Sequence, residues 1–132
     1  MTTLELDDYQ HTLLTGWEEV FKKGQLTLWI ALALKASPKH MSEIKEFIKD
    51  LTNGTTDIDD RSIYRALRRY HQAEIVTFRM APGDHGPERK IYRLTANGDA
   101  LVDAFCKRNI IDVFYRPAIR KLIEGEEYNN EP

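Results

Sequence analysis

Asp59-Asp60-Arg61-Ser62-Ile63-Tyr64-Arg65-Ala66-Leu67-Arg68-Arg69-Tyr70-His71-Gln72 is the stretch from which the fold of this chain can be read. Wound as a helix at roughly 100° per residue, it gathers Arg61, Ser62, Arg65, Arg68, Arg69 and Gln72 into one arc and sets Ile63, Ala66, Leu67 and Tyr70 opposite. A small domain can hold such a helix by its apolar side and offer the cationic side to a polyanion. Nucleic acid is the first partner this suggests, with plain solvation of surface arginines as the alternative. Asp59 or Asp60 stands where an N-cap belongs, its carboxylate able to satisfy the open amides of the first turn.

On the C-terminal side of this helix the period changes to two. Val76, Phe78 and Met80 alternate with Thr77 and Arg79, and Ile91 and Arg93 alternate with Tyr92 and Leu94, which predicts two strands. Ala81-Pro82-Gly83-Asp84-His85-Gly86-Pro87-Glu88 between them is too rich in Pro and Gly to be anything but a loop. On the N-terminal side, residues 41–51 predict a short helix with Ile44, Phe47, Ile48 and Leu51 on one face and Ser42 or its neighbour at the cap, and Thr52-Asn53-Gly54-Thr55-Thr56 closes it as a polar turn. Helix, turn, basic helix and hairpin make a winged helix. The expected fold is therefore mainly α with a small antiparallel β-wing, a winged helix-turn-helix flanked by N- and C-terminal dimerisation helices.

Both flanks are more apolar than a lone domain of this size needs. Asp7 or Asp8 caps a first helix in which Tyr9, Leu13, Trp17, Val20 and Phe21 recur at three and four, and Gly24 after Lys22 and Lys23 is its expected stop. Residues 25–36 are apolar on nearly every side, with Leu26, Leu28, Trp29, Ile30, Leu32 and Leu34, until Ser37-Pro38-Lys39 breaks the run. Thr95 caps a last long helix whose stripe is Leu101, Val102, Phe105, Cys106, Ile110, Val113 and Phe114, and Pro117 kinks or restarts it near Arg116. Isologous contact is the usual way such stripes are buried, so a homodimer is expected with Trp17, Leu101, Phe105, Val113 and Phe114 at its interface. The expected organisation is a helical extension at 1–24, a winged-helix core at 25–95, a dimerisation helix at 96–124 and a disordered acidic tail at 125–132.

The 132 residues carry a formal charge of -2, which is discouraging for a nucleic-acid binder until its distribution is considered. From Arg61 to Arg93 seven Arg and one Lys face only Glu74, Asp84 and Glu88, a local surplus of five positive charges. The acids collect elsewhere: Glu5, Asp7, Asp8, Glu18 and Glu19 near one end, Glu124, Glu126, Glu127 and Glu131 near the other. Steering depends on the field within a Debye length of about 8 to 10 Å. A mildly acidic total is thus compatible with a basic binding face.

Cys106 is the single cysteine, so an intramolecular disulfide is excluded. No C-x-x-C pair or close Cys and His cluster offers a metal site, and neither metal nor cofactor is expected. His11, His40, His71 and His85 are scattered, no G-x-S-x-G or P-loop occurs, and Cys106 lies on an apolar stripe where a thiol is inert, so an enzyme is not expected. The acidic start lacks the basic n-region of a signal peptide, and the longest apolar run, 26–34, falls short of a membrane span. A soluble cytoplasmic protein with no membrane partner is the expectation.

Two blocks resemble a known family. Ile63-Tyr64-Arg65-Ala66-Leu67-Arg68-Arg69, followed by Gly86-Pro87-Glu88-Arg89-Lys90-Ile91-Tyr92-Arg93-Leu94-Thr95-Ala96-Asn97-Gly98, is similar to the PadR family of bacterial winged-helix transcriptional regulators. The second block is the specific one, since the family's Gly-Pro-x-Arg-Lys-x-Tyr-x-Leu-Thr-x-x-Gly run is matched throughout. The resemblance covers roughly residues 24–104. It implies a dimer on an inverted-repeat operator, usually a repressor, paired through the C-terminal helix and N-terminal elements. There are two departures: Met41-Ser42 stands where the family has Gly-Tyr, and Glu74 where it ends the recognition helix with Gly. A Glu at positive φ there is strained by about a kilocalorie per mole or more unless the turn is built differently.

Charge and geometry assign roles for double-stranded DNA. Arg61, Ser62 and Arg65 fall nearest the base edges with helix-end amides aimed at phosphate, and Arg68 and Arg69 suit the backbone. At the wing, His85, Arg89 and Lys90 reach phosphates or a minor groove, with a wing-fixing role for Arg89 as the alternative. Tyr64 and Tyr92 are read as core or hinge residues, and His71 as packed on the helix flank. Two other functions remain open: a winged helix that docks an acidic protein through the same face, and a regulator whose Trp17 and Trp29 line a pocket between protomers for a flat apolar effector.

Overall fold

The computed structural model of the chain describes residues 5–125, so all of the expected acidic tail after its first residue lies outside the described residues. The elements in order are α1 (Asp8–Ala36), α2 (Met41–Leu51), α3 (Asp60–Gln72), β1 (Val76–Ala81), β2 (Arg89–Leu94), α4 (Ala96–Cys106), a π-helical turn (Lys107–Ile111), α5 (Asp112–Phe114) and α6 (Pro117–Ile123). The helices and the two-stranded antiparallel wing are those the sequence predicts, with four differences of detail.

The first is Gly24. Asp7 caps α1, accepting from the Gln10 amide at 2.8 Å while the Gln10 side chain accepts from the Asp7 amide at 3.0 Å. From there α1 runs without interruption through Gly24, so the expected stop does not occur and the boundary drawn there falls inside one helix. A single interior glycine costs only about 1 kcal/mol against alanine, and Phe21, Lys22, Lys23, Gln25 and Leu26 on either side all continue the helix. Only the C-terminal part of α1 is buried, through Ile30, Ala33 and Leu34. Its first half stands clear of the domain with Tyr9, Leu13, Leu14, Trp17, Val20 and Phe21 exposed.

The second is the cap of α2, which is His40 and not Ser42. The imidazole Nδ1 accepts from the Glu43 amide at 3.4 Å, and the Glu43 carboxylate accepts from the His40 amide at 3.1 Å. At the other end Asn53 and Gly54 take φ of 53° and 76°, and the Gly54 amide returns to the Lys49 carbonyl at 2.7 Å. Ile44 and Ile48 of α2, Ile63, Ala66 and Leu67 of α3, and Val76 and Tyr92 of the ribbon close the core against α1. Each large aliphatic side chain there contributes about 1.5–3 kcal/mol by burial.

The third is a short addition to the wing. β1 and β2 pair in register from Val76 with Leu94 to Ala81 with Arg89, and Lys39 bridges Tyr92 from the far side, its amide donating at 3.0 Å and its carbonyl accepting at 2.8 Å. The Lys39 ammonium turns inward, donating to the Ala33 carbonyl at 2.7 Å and the Ser37 hydroxyl at 2.8 Å, with the Phe47 ring 4.4 Å away. Its burial lowers its pKa. The end of α1 and the base of the wing are thereby fastened through one residue.

The junctions around α3 explain the signature block. Glu74 does adopt positive φ, 61°: its amide donates to the His71 carbonyl at 3.1 Å and the Ile75 amide to the Tyr70 carbonyl at 2.8 Å. This is the helix-terminating turn in which glycine is normally preferred. Thr95 caps α4, accepting from the Gly98 amide at 2.9 Å and donating to the Glu74 carbonyl at 2.6 Å. Gly98 is required because a Cβ there would lie 2.0 Å from the Ile75 carbonyl oxygen. The Thr-x-x-Gly spacing thus clamps α4 onto the turn that joins α3 to the wing. The fourth difference is the π turn in what the sequence presents as one helix; Pro117 then opens α6 after Arg116, as its position predicts.

Candidate nucleic-acid interface

Burial of Ile63, Ala66 and Leu67 fixes the rotation of α3 and turns Arg61, Arg65, Arg68, Arg69 and Gln72 to solvent. Among the described residues, no acidic side chain forms a salt bridge with any of these four arginines. Their charges face solvent. The N-terminal end of the helix is different. Asp59 accepts from the Ser62 amide at 2.7 Å and from the Ser62 hydroxyl at 3.0 Å, and these bonds, the amide's first, hold its carboxyl below the usual range. Lys45 lies 3.3 Å from Asp60 and 4.0 Å from Asp57. A carboxylate therefore occupies the opening where helix-end amides were expected to meet phosphate, and the Ser62 hydroxyl is already engaged.

A cleft runs between α3 and the wing. Tyr64, Arg68, His71 and Gln72 form one wall, and Phe78, Lys90 and Tyr92 the other. The Lys90 ammonium lies 4.6 Å from the Phe78 ring centre; Phe78 is 4.9 Å from the His71 ring and 5.6 Å from that of Tyr92. Among the described residues, no acid lines the cleft. One expected backbone contact from the helix, Arg68, and one from the wing, Lys90, are thus brought together. Tyr92 is buried as expected, and burial raises its pKa. Tyr64 is 47% exposed, so it is a cleft residue and not a core one. Tyr64, Arg68 and His71 are four and then three residues apart, and that spacing was the available sign that they share a face.

His85 is exposed at the wing tip. Arg89 is held back from it: its guanidinium Nη2 lies 3.6 Å from Asp84, and its Nε is buried without a partner. The turn itself folds close, since a Cβ on Gly83 would lie 2.5 Å from the Pro87 carbonyl. Arg89 thereby ties the wing to its own loop.

Away from this face, Trp17 is 78% exposed, and Leu101, Phe105, Val113 and Phe114 are exposed as well. Trp29 is partly buried against the core with its indole Nε1 unpartnered. The two Trp lie twelve residues apart on α1, about 18 Å along the axis, so within one chain they share no pocket. An apolar chamber of about 140 Å³ lies elsewhere, among α1, α3, β1, β2 and α4, with Ile30, Leu34, Tyr70 and Phe105 in its wall. Among the described residues no three His, Cys, Asp or Glu side chains gather as metal ligands, and no helix is long and apolar enough to cross a membrane.

A basic helix carried by a helix-turn-helix and followed at once by a β-ribbon defines a winged-helix protein. The model of the transcriptional regulator PadR-like family matches residues 30–104, and the chain belongs to that family. Solved structures agree in fold. A PadR-family regulator from Eggerthella lenta is 18% identical with a TM-score of 0.66, over 89% of this chain and 98% of that one. A PadR-like regulator from Bacillus cereus is 22% identical with a TM-score of 0.62, over 79% and 96%. Bacillus subtilis PadR, solved in complex with operator DNA, is 21% identical with a TM-score of 0.55, over 64% of this chain and 49% of that one. The family is one of transcriptional regulators, not of enzymes.

Proposed function

We propose that this protein is a homodimeric repressor that binds a near-palindromic operator in double-stranded DNA. The observation that carries the proposal is the row of unpaired arginines on α3, set beside a cationic cleft whose far wall is the wing. Arg61 and Arg65 enter the major groove, where an arginine gripping guanine O6 and N7 contributes about 1 to 3 kcal/mol of discrimination. Ser62 borders the bases as an acceptor, because its proton is given to Asp59. Arg68, Arg69 and Lys90 hold the phosphodiester backbone, His85 reaches past the wing tip, and Arg89 stiffens the wing. That B. subtilis PadR was solved with operator DNA supports this class of ligand.

The second copy is supported by charge as well as by apolar exposure. The first part of α1, residues 8–23, carries Asp8, Glu18 and Glu19 against Lys22 and Lys23 beside Trp17 and Phe21, a surplus of one acid, whereas residues 107–124 carry Lys107, Arg108, Arg116, Arg120 and Lys121 against Asp112 and Glu124, a surplus of three bases. Laying α1 of one protomer on the C-terminal helices of its partner buries both apolar faces and pairs these charges. The two α3 helices would then stand about 34 Å apart, one turn of DNA.

The test is fluorescence anisotropy on duplex DNA across a salt series. Arg65→Ala should weaken operator binding and relax base preference at one position per half-site, whereas Lys90→Ala should reduce the salt slope by about one with preference unchanged. A salt slope near zero on random duplex would instead favour a protein-docking winged helix.

A further inference from the structure

Residues 96–114 are helical throughout, yet the helix widens for one turn. The Asp112 amide donates to the carbonyl of Lys107, five residues back; Cys106 before the turn and Ile111 at its end keep ordinary α values, and Asp112 stays right-handed with ψ relaxed to -11°. Two side chains accompany this wide turn, of which the Lys107–Asp112 pair, five residues apart, is the one an α turn would not bring together. Asn109 Nδ2 donates to the Phe105 carbonyl at 3.1 Å, supplying a donor where the ladder is displaced. Lys107 grips both oxygens of Asp112, at 2.9 and 3.1 Å. Partners five apart lie roughly 140° apart on an α-helix and come together only when the turn widens. Such π turns are rare and occur mostly as single insertions inside α-helices, frequently at functional sites.

The consequence for the apolar stripe follows from counting turns. In an unbroken α-helix Val113 would lie roughly 120° around the axis from Leu101, and Phe114 roughly 220°. A turn that absorbs one extra residue brings each back by roughly 100°. Val113 then lies roughly 20° from Leu101, with Phe105 close by at roughly 40°, and Phe114 roughly 120° away beside Val102. Leu101, Phe105, Val113 and Phe114 all remain exposed.

We infer that the π turn at Lys107–Ile111 is the element that keeps the apolar patch of α4 in phase with that of α5, so that a second copy of this chain meets one continuous seam. This rests on the dimer reading above. What sets the phase is the residue count between Leu101 and Val113 balanced by the wide turn, within which Asn109 is the residue whose removal lets the segment close as a plain α-helix.

Two variants with opposite expectations test it, measured by analytical ultracentrifugation beside the wild type. Deleting Asn109 lets the segment close as a plain α-helix with Val113 in the same phase, so the dimer dissociation constant stays within about threefold. Inserting one alanine after Asn109 swings Val113 and Phe114 by roughly 100°, and the dissociation constant rises at least about tenfold, the effect of uncovering one large side chain. Far-UV circular dichroism and the melting of the winged-helix core serve as folding controls, since neither change touches residues 30–104. Equal dimerisation of the insertion variant, or dissociation of the deletion variant, overturns the inference while leaving the dimer intact. A monomeric wild type overturns the dimer reading as well.

Discussion

Replacing Glu74 with glycine should stabilise the protein, although it removes a side chain and adds no contact. Glu74 sits at φ 61°, the left-handed region, at the turn between α3 and β1. A residue with a Cβ is disfavoured there by about 1–2 kcal/mol. Glycine relieves that strain but gives back about 0.5–1 kcal/mol through its freer unfolded chain. The net gain is about 0.5–1 kcal/mol, or about 2–4 °C in Tm for a chain of this size. Glu74→Ala isolates the cause, since it keeps the Cβ and should leave Tm within about 1 °C. Both are read by thermal unfolding at one fixed protein concentration. Because the two hydrogen bonds that shape the turn come from backbone groups, operator affinity should not change. An unchanged or lower Tm for Glu74→Gly would refute the claim that backbone strain resides here.

Gly98→Ala should act in the opposite direction: its Cβ would collide with the Ile75 carbonyl, which is fixed by the Thr95 amide at 3.0 Å, so destabilisation of about 1–3 kcal/mol is expected in urea unfolding. Asp59 has a folded pKa held below its unfolded value of about 3.9, so its contribution to stability is complete above that value and is lost as pH falls through the folded pKa. Asp59→Asn keeps a capping oxygen without that titration, and its Tm should fall less steeply than the wild type's below about pH 4; parallel curves would count against the cap. Tyr64→Ala and His71→Ala should each weaken DNA binding with the core melt unchanged, because both side chains line the cleft from its exposed side.

How far the sequence disclosed this molecule depended on whether the physics was local. The period of 3.6 in α3 and the period of two in the ribbon are each decided by neighbours within a few residues, and both elements formed where the pattern placed them. Gly24 misled because a glycine's effect inside a helix, about 1 kcal/mol, is smaller than the sum of favourable neighbours. The cap at His40 was missed because imidazole is a weaker signal for that role than a hydroxyl, although Glu43 three residues on completes the same reciprocal pair. The π turn had no signature, since an extra residue in an apolar stripe only broadens it. The cationic face was legible as a wheel of arginines. The cleft was not, because His71 and Lys90 meet only after the chain reverses through Glu74.

The central claim is that two copies of α3 read one operator. It is met most directly by selecting fragments of the source genome with the purified protein and sequencing them. The account predicts enrichment of an inverted repeat whose half-sites are about 10 bp apart, centre to centre, and loss of that enrichment for Arg65→Ala. Recovery of unrelated fragments, or of the same repeat by the Arg65→Ala variant, would contradict it.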